Sequence, residues 1–365
     1  MKNTFGSSVA VTLFGESHGR AIGAVLDGLA PGIAVDEDYI RRKLRQRQAV
    51  GAVSTPRHEP DEVQILSGVF EGRSTGTPIT FVIENKNVKS GDYDELRRIM
   101  RPGHADYTAY CKYHGHQDYR GGGHFSGRIT AALVAAGAVA QLALRRRGIA
   151  LGTHILRCGG VDDRGFADLD GDIAALDEAL FPVLDEAAGE RMREAICSAR
   201  EEGDSVGGIL ETAVTGLPAG VGEPWFDTVE SLLAHGLFSI GGVKGVSFGA
   251  GFAFADMRGS GANDPFRMEN GSVVSSSNHN GGINGGITNG MPLLFRCAVK
   301  PTPSISKEQD TVDVERKENT VISIRGRHDP AIVHRVRAVV DAVTALTLCD
   351  LLAQHFGTDW LGGGQ

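Results

Sequence analysis

Four glycine-rich strings in this chain each present a histidine or an arginine. They read Gly15-Glu16-Ser17-His18-Gly19, Arg101-Pro102-Gly103-His104-Ala105-Asp106-Tyr107, Gly121-Gly122-Gly123-His124-Phe125-Ser126-Gly127-Arg128 and Arg325-Gly326-Arg327-His328-Asp329-Pro330. Glycine lets the backbone come close to a ligand. Histidine titrates near neutral pH, and arginine grips carboxylate and phosphate in a fork. The four strings together read as one composite enzyme site for an anionic ligand. His104 has the most informative setting, because Pro102-Gly103 fixes its turn and Asp106 can orient its ring. His18 ends a β-type run, where a lone histidine is more often a surface or core residue than a functional one. The Gly121–Gly127 turn feeds a helix, and free N–H groups at a helix N-terminus suit a phosphate.

Two further sets of residues fit an anion. Arg41, Arg42, Lys43, Arg45 and Arg47 crowd one expected helix; such a run is usually a solvated face, but it can also steer a polyanion. Lys300-Pro301-Thr302-Pro303-Ser304 ends an expected strand with a lysine and two hydroxyls. Other chemistries lack their residues. There is no Gly-x-Gly-x-x-Gly, no Walker lysine, no Gly-x-Ser-x-Gly elbow and no carboxylate pair. His114 and His116 are two apart and would point to opposite sides of a strand, so a metal role there is not expected.

The chain that must position these groups has 365 residues, 41% hydrophobic and 22% charged, enough for one large domain or two ordinary ones. Its 50 glycines are roughly double average usage and fall in short runs rather than a collagen period. A net charge of −8 argues against a general nucleic-acid binder. Five scattered cysteines without a Cys-x-x-Cys fit reduced thiols, and no signal-peptide pattern is visible, so the expected location is the cytoplasm. The longest apolar stretch, 129–144, reads as too short and too interrupted to span a membrane.

Asp36 is the expected N-cap of a helix running to about residue 48. A second helix is expected over 129–147, with Arg145, Arg146 and Arg147 in its last turn and Gly148 as its stop. A third is expected over 332–355, and the acidic 161–203 segment reads as mostly helical. Strands are expected at 9–14, 21–26, 62–70, 78–84, 208–214, 246–254, 293–299 and 321–324, with an irregular polar loop over 84–100 and a frayed tail. The run from Gly23 to Gly32 echoes that from Gly208 to Gly220: strand, Gly-Leu turn, helix. The echo suggests a duplicated α+β unit, roughly 7–150 and 203–355, sharing one core.

Taken in order, these strings resemble the chorismate synthase family. Beyond the four strings, the resemblance rests on Asn3-Thr4-Phe5-Gly6, Ser54-Thr55-Pro56-Arg57, Ile65-Leu66-Ser67-Gly68-Val69-Phe70-Glu71-Gly72, Val243-Lys244-Gly245-Val246, Ser277-Asn278-His279, Gly285-Gly286-Ile287 and Lys300-Pro301-Thr302. It implies an α+β fold, a β-α-β sandwich with an internal pseudo-twofold repeat in a single large domain, assembled as a homotetramer. It implies a lyase that converts 5-enolpyruvylshikimate 3-phosphate to chorismate and phosphate by 1,4-anti elimination, with reduced FMN, as the last step of the shikimate pathway.

By the same resemblance, His18 is a proton donor near the leaving phosphate, His104 serves the reduced flavin, and Asp329 takes part in removing the ring proton. His124, Phe125, Ser126, Gly241, Gly242, Gly285, Lys300, Pro301, Thr302, Pro303, Ser304 and Arg327 fall on flavin-binding positions. Arg47 and Arg128 fall on substrate- and nucleotide-binding positions, the nucleotide being NADP. The chain departs from the family pattern at His124, where an arginine is usual, at Gly241, where an asparagine is usual, and around Gln46-Arg47-Gln48. Its length without large insertions implies a type that relies on an external flavin reductant. Two other readings stay open from the residues: a module that holds flavin or a phosphorylated acid without chemistry, and a flavin reductase. Three titratable groups beside arginines speak against the first, and the altered arginine loop against the second.

Overall fold

The structure is a computed structural model that describes residues 2–49, 51–54, 61–86, 97–324 and 328–363. Its first sheet holds β1 (Thr4–Phe5), β2 (Ala10–Gly15), β3 (Ala21–Asp27), β4 (Val63–Ser67) and β5 (Ile79–Glu84), in the order β1-β2-β3-β5-β4. The second holds β6 (Ala150–Cys158), β7 (Val161–Asp162), β8 (Gly208–Thr215), β9 (Val243–Phe248) and β10 (Leu293–Val299), in the order β9-β10-β8-β6-β7. Four helices lie between the sheets: α1 (Glu37–Arg47), α2 (Thr130–Arg146), α3 (Val229–Phe238) and α4 (Val333–Phe356). The four longer strands of each sheet follow one plan, β2-β3-β5-β4 in the first and β6-β8-β10-β9 in the second. The two echoing turns occupy equivalent places, β3 to α1 and β8 to α3. This is the expected α+β sandwich, with helices as its filling.

Local chemistry explains the helices. The Asp36 carboxylate accepts the N–H groups of Asp38 at 2.9 Å and Tyr39 at 3.1 Å, which caps α1 as its sequence predicts. Helix α2 is small and apolar on every side, the pattern of a helix with no solvated face. Gly137 on α2 meets Ala342 on α4, and any side chain at Gly137 would collide with it. Counting the turn before α2, residues 127–146 are long and apolar enough to cross a membrane, with a mean hydropathy of 1.5, which the shorter stretch considered above did not suggest. Here 78% of that window is enclosed between the sheets. At the other end of α4, Asp350 accepts the N–H groups of Ser7, Ser8 and Val9 and ties the N-terminal strand to the core.

Glycines shortened two expected strands. Gly68, at φ 78°, ends β4 before Val69, and Gly249 and Gly251, at φ 55° and 56°, end β9 at Phe248. The expected 321–324 strand is instead Glu318–Ile322, paired with Gln309–Asp313 in a hairpin that the sequence pattern had not suggested.

A row of charge crosses the second sheet. His154 on β6 lies opposite Glu211 on β8, which lies opposite Arg296 on β10. The imidazole donates to Asp163 at 3.2 Å and to Glu211 at 3.1 Å, which requires a proton on both ring nitrogens. Asp163 also accepts the N–H groups of Leu184 and Asp185, so the row fastens the 163–185 segment to the sheet. Burial pulls the His154 pKa down, but the hydrogen bonds and charges of Asp163 and Glu211 outweigh it and the net shift is upward. A raised folded pKa gives stability that is complete below about pH 6.5, the unfolded value, and lost as pH rises through the folded one. Thermal unfolding should therefore show midpoints falling on the alkaline side of neutrality. His154→Gln should cost about 3 kcal/mol at pH 6 and flatten that fall; an unchanged pH profile in the variant would remove the assignment.

Candidate active site

The loop after β2 and the triglycine loop are built against each other. Gly121, Gly122 and Gly123 take φ of 59°, 84° and 55°, a run open to glycine and closed to most other residues. Ser17 donates its N–H to the Gly123 carbonyl at 3.0 Å, and His124 donates Nδ1–H to the Gly15 carbonyl at 2.7 Å. The histidines flank this turn. A Cβ on Gly121 would fall 2.6 Å from the buried His18 ring, and one on Gly122 would fall 3.3 Å from the His104 ring. The glycines are required because two rings occupy the space of their missing side chains.

His104 is oriented as its sequence context suggests. Its Nδ1 bonds Asp106 Oδ1 at 2.7 Å, and Arg101 grips the same carboxylate through Nε at 2.7 Å and Nη2 at 2.8 Å. Burial pushes the Asp106 carboxyl up, but hydrogen bonds and charge from Arg101 and His104 hold it far below the usual carboxylate range. Asp106 therefore stays ionised, keeps the ring turned, and leaves Nε2 on the Gly122 side. A cleft lined by Met100, Asp106, Gln117, Tyr119 and Phe125 opens beside the ring. His328 lies within the field of Arg101; burial and that charge together lower its pKa, so its ring is neutral.

The Lys300–Ser304 segment covers the same loop. Lys300 donates Nζ to the Gly103 carbonyl and its backbone N–H to Gly242 at 2.9 Å. Gly242 abuts Ile332, just ahead of α4, and Gly241 has open space where a side chain would be. The Thr302 carbonyl accepts from Ser205 at 2.7 Å, while its buried Oγ1 has no hydrogen-bond partner among the described residues. Pro303 touches Gly103, and Ser304 is buried. Ser126 caps the turn before α2 by accepting the Arg128 N–H at 3.3 Å, and Phe125 stays half exposed against Tyr113.

Arg47 and Arg128 meet on a residue that the sequence reading passed over. Arg47 donates to Asp61 Oδ2 at 3.0 Å and Arg128 donates to Oδ1, with the Asp61 side chain only 1% exposed. Arg128 also donates to Asn85 Oδ1 at 3.0 Å, and Asn85 donates to the Glu16 and Gly19 carbonyls on either side of His18. Arg47 reaches Thr130 at the start of α2, and its own carbonyl accepts from Arg335 at 2.9 Å. Arg335 in turn pairs with Asp329. Nothing in the sequence marks Asp61, Asn85 or Arg335 as partners of this cluster, because their contacts with Arg47 and Arg128 join residues well separated along the chain. The positive N-terminal ends of α2 and α4 open on the same region.

The structure thus gathers His18, His104, His124, Phe125, Ser126, Arg47, Arg128, Gly241, Gly242, Lys300, Pro301, Thr302, Pro303, Ser304 and Asp329 at one end of the sandwich. It does not bring Gly285 there. That residue turns the Ile283–Thr288 hairpin beside Val221 and Thr288, at the Leu293 end of β10. Lys300 follows the other end, about 20 Å away at strand rise. Arg327 lies outside the described residues.

Histidines held among paired arginines at the end of an α+β sandwich are the arrangement of an enzyme with a small-molecule substrate. Comparison with known proteins places it further. The family model for chorismate synthase matches residues 9–353. A chorismate synthase of Aeropyrum pernix is 49% identical over 352 residues, covering 96% of this chain and 93% of that protein. One of Methanosarcina acetivorans is 48% identical over 95% of both chains. One of Thermococcus kodakarensis is 46% identical over 96% and 97%. A solved chorismate synthase structure superposes with a TM-score of 0.77 at 28% identity, covering 96% of this chain and 94% of that one. The chain belongs to the chorismate synthase family. It is therefore a lyase, and the family's reaction is the last step of the shikimate pathway.

The shared carboxylate gives a direct test. Asp61→Ala would leave two buried guanidinium groups facing each other and should cost about 3–5 kcal/mol in urea unfolding. Asp61→Asn, which retains an acceptor, should cost less. A loss below roughly 1 kcal/mol for the alanine variant would show that the arginines are held by their other partners.

Proposed function

We propose that this protein converts 5-enolpyruvylshikimate 3-phosphate to chorismate and phosphate by 1,4-anti elimination, using reduced FMN. The observation that carries this reading is the seating of His18 and His104 on either side of one triglycine turn, joined by Asn85 to the Arg128–Asp61–Arg47 cluster. The substrate brings two carboxylates and a phosphate, and the arginines and helix N-termini suit all three.

The residues present also fit a flavin phosphate and ring. Thr302 offers a buried hydroxyl that is unpaired among the described residues, Lys300 a cation, and the triglycine turn an approachable backbone ahead of α2. Residues 124–126, 241–242 and 300–304 would hold the group. Reduced flavin, when bound, supplies electron density that helps expel the phosphate. Asp106 accepts from Nδ1 of His104, which fixes the ring and turns Nε2 toward the triglycine turn, where it can exchange a proton. His18 offers a proton beside the anion cluster, and Asp329 is a carboxylate held by Arg335 on its far side. The arginines orient the substrate and stabilise phosphate as it leaves.

An external reductant supplies the reduced flavin in this reading, and the protein works as a homotetramer. Trp225, Phe226 and Phe252, exposed at 85%, 88% and 91%, are apolar surface suited to self-association.

Purified protein should form chorismate and phosphate anaerobically with dithionite-reduced FMN, and not with oxidised FMN or with FMN and NADPH alone. His104→Ala should keep the fold and lose most turnover. Asp106→Asn should lose about a hundredfold in kcat with binding largely kept. Tight binding of flavin and substrate without product would favour the holding module instead.

A further inference from the structure

One buried titratable group near the site takes no part in that chemistry. His334, fully buried in the first turn of α4, lies with Nε2 2.7 Å from Oγ of Ser54, itself 2% exposed. Among the described residues its Nδ1 has no hydrogen-bond partner, and its ring lies tilted against that of Phe181 at 5.9 Å between centroids. Burial, aided by the charge of Arg335, lowers its pKa to about 4, so the ring is neutral. A buried neutral ring with one hydrogen bond among the described residues depends on that bond for its orientation, and a buried polar group without a partner is costly.

The contact sits at an informative place. Ser54 lies between Arg47, which ends α1, and Asp61, which precedes β4, and those two side chains close on each other at 3.0 Å. The residue after His334 is Arg335, which holds the Arg47 carbonyl and the Asp329 carboxylate. One turn of α4 therefore grips the chain that joins Arg47 to Asp61 at its start, through Arg335, and again at Ser54, through His334. We propose that His334 is a positioning residue, holding Ser54 so that Arg47 and Asp61 meet Arg128 in the geometry that receives the substrate anion. Only the kinetic part of its test rests on the function proposed above.

The test compares His334→Ala, Ser54→Ala, the double variant and His334→Gln, whose amide can reach the same oxygen. In hydrogen exchange, each single alanine variant should speed exchange over residues 48–54 by about fivefold while α2 stays protected. With 5-enolpyruvylshikimate 3-phosphate, KM should rise about tenfold and kcat stay within roughly twofold. The double variant should be no worse than either single one, and His334→Gln should recover both readouts. Additive losses in the double variant, or faster exchange throughout the core with KM unchanged, would make His334 a packing residue and overturn the proposal. Should His334→Ala fail to fold, Ser54→Ala carries both readouts. A wild-type enzyme inactive on this substrate would sink the proposed function, and the exchange result would still decide the role of His334.

Discussion

Two guanidinium groups cannot share a protein interior without a counterion, and the way this chain solves that problem sets much of its form. Removing each charge from water costs several kcal/mol, and the two also repel each other. Asp61 answers both demands by giving one oxygen to Arg47 and the other to Arg128. One carboxylate against two arginines leaves the group with a net positive charge, so the cluster is held together yet still attracts an anion. The partners come from distant parts of the chain: the end of α1, the approach to β4 and the turn before α2. The ion cluster therefore ties sheet to helix layer at one end of the sandwich.

The layered plan explains why that end is chosen. Both α2 and α4 begin there, so two helix N-termini contribute positive potential where the arginines cluster. Their remaining length is largely buried, and Gly137 lets them approach closely enough to fix the direction of both. The loops above them can then be rich in glycine, because the precision of the site comes from the helices and from hydrogen bonds such as His124 to Gly15. At Gly121 and Gly122 the backbone is thin so that two imidazoles can stand where side chains would be.

Much of this was legible in the sequence, for identifiable reasons. Asp36 announced the start of α1, the alanine-rich run announced α2, and Asp106, two residues after His104, announced its orienting bond. These signals are local, since cause and effect lie within one turn of chain. Strand ends were less legible, because the β-type pattern of 62–70 runs through Gly68, whose positive φ the sequence does not state. Asp61, Asn85 and Arg335 were not legible at all. Their contacts with the arginine cluster and with the loop around His18 span 14 to 288 residues, and an isolated aspartate, asparagine or arginine looks the same on a solvated surface. That Gly285 lies away from Lys300 within this chain was not legible for a related reason: order along the sequence does not say which end of β10 a loop caps.

The position of Asp329 follows from the same cluster. Its carboxylate pairs with Arg335, whose Nε is engaged with the backbone carbonyl of Arg47. Any shift of Arg47 toward an incoming anion moves that carbonyl, and with it the guanidinium that holds Asp329. A base placed on an independent loop would have to be ordered anew at each turnover, at a cost in conformational entropy. Here the carboxylate is fixed through two short links to Arg47, the residue that meets the substrate under the proposed function. Under the proposed function, binding charge and proton removal are thereby joined by backbone and arginine rather than by a closing lid, which puts the demand for precision on the first turn of α4.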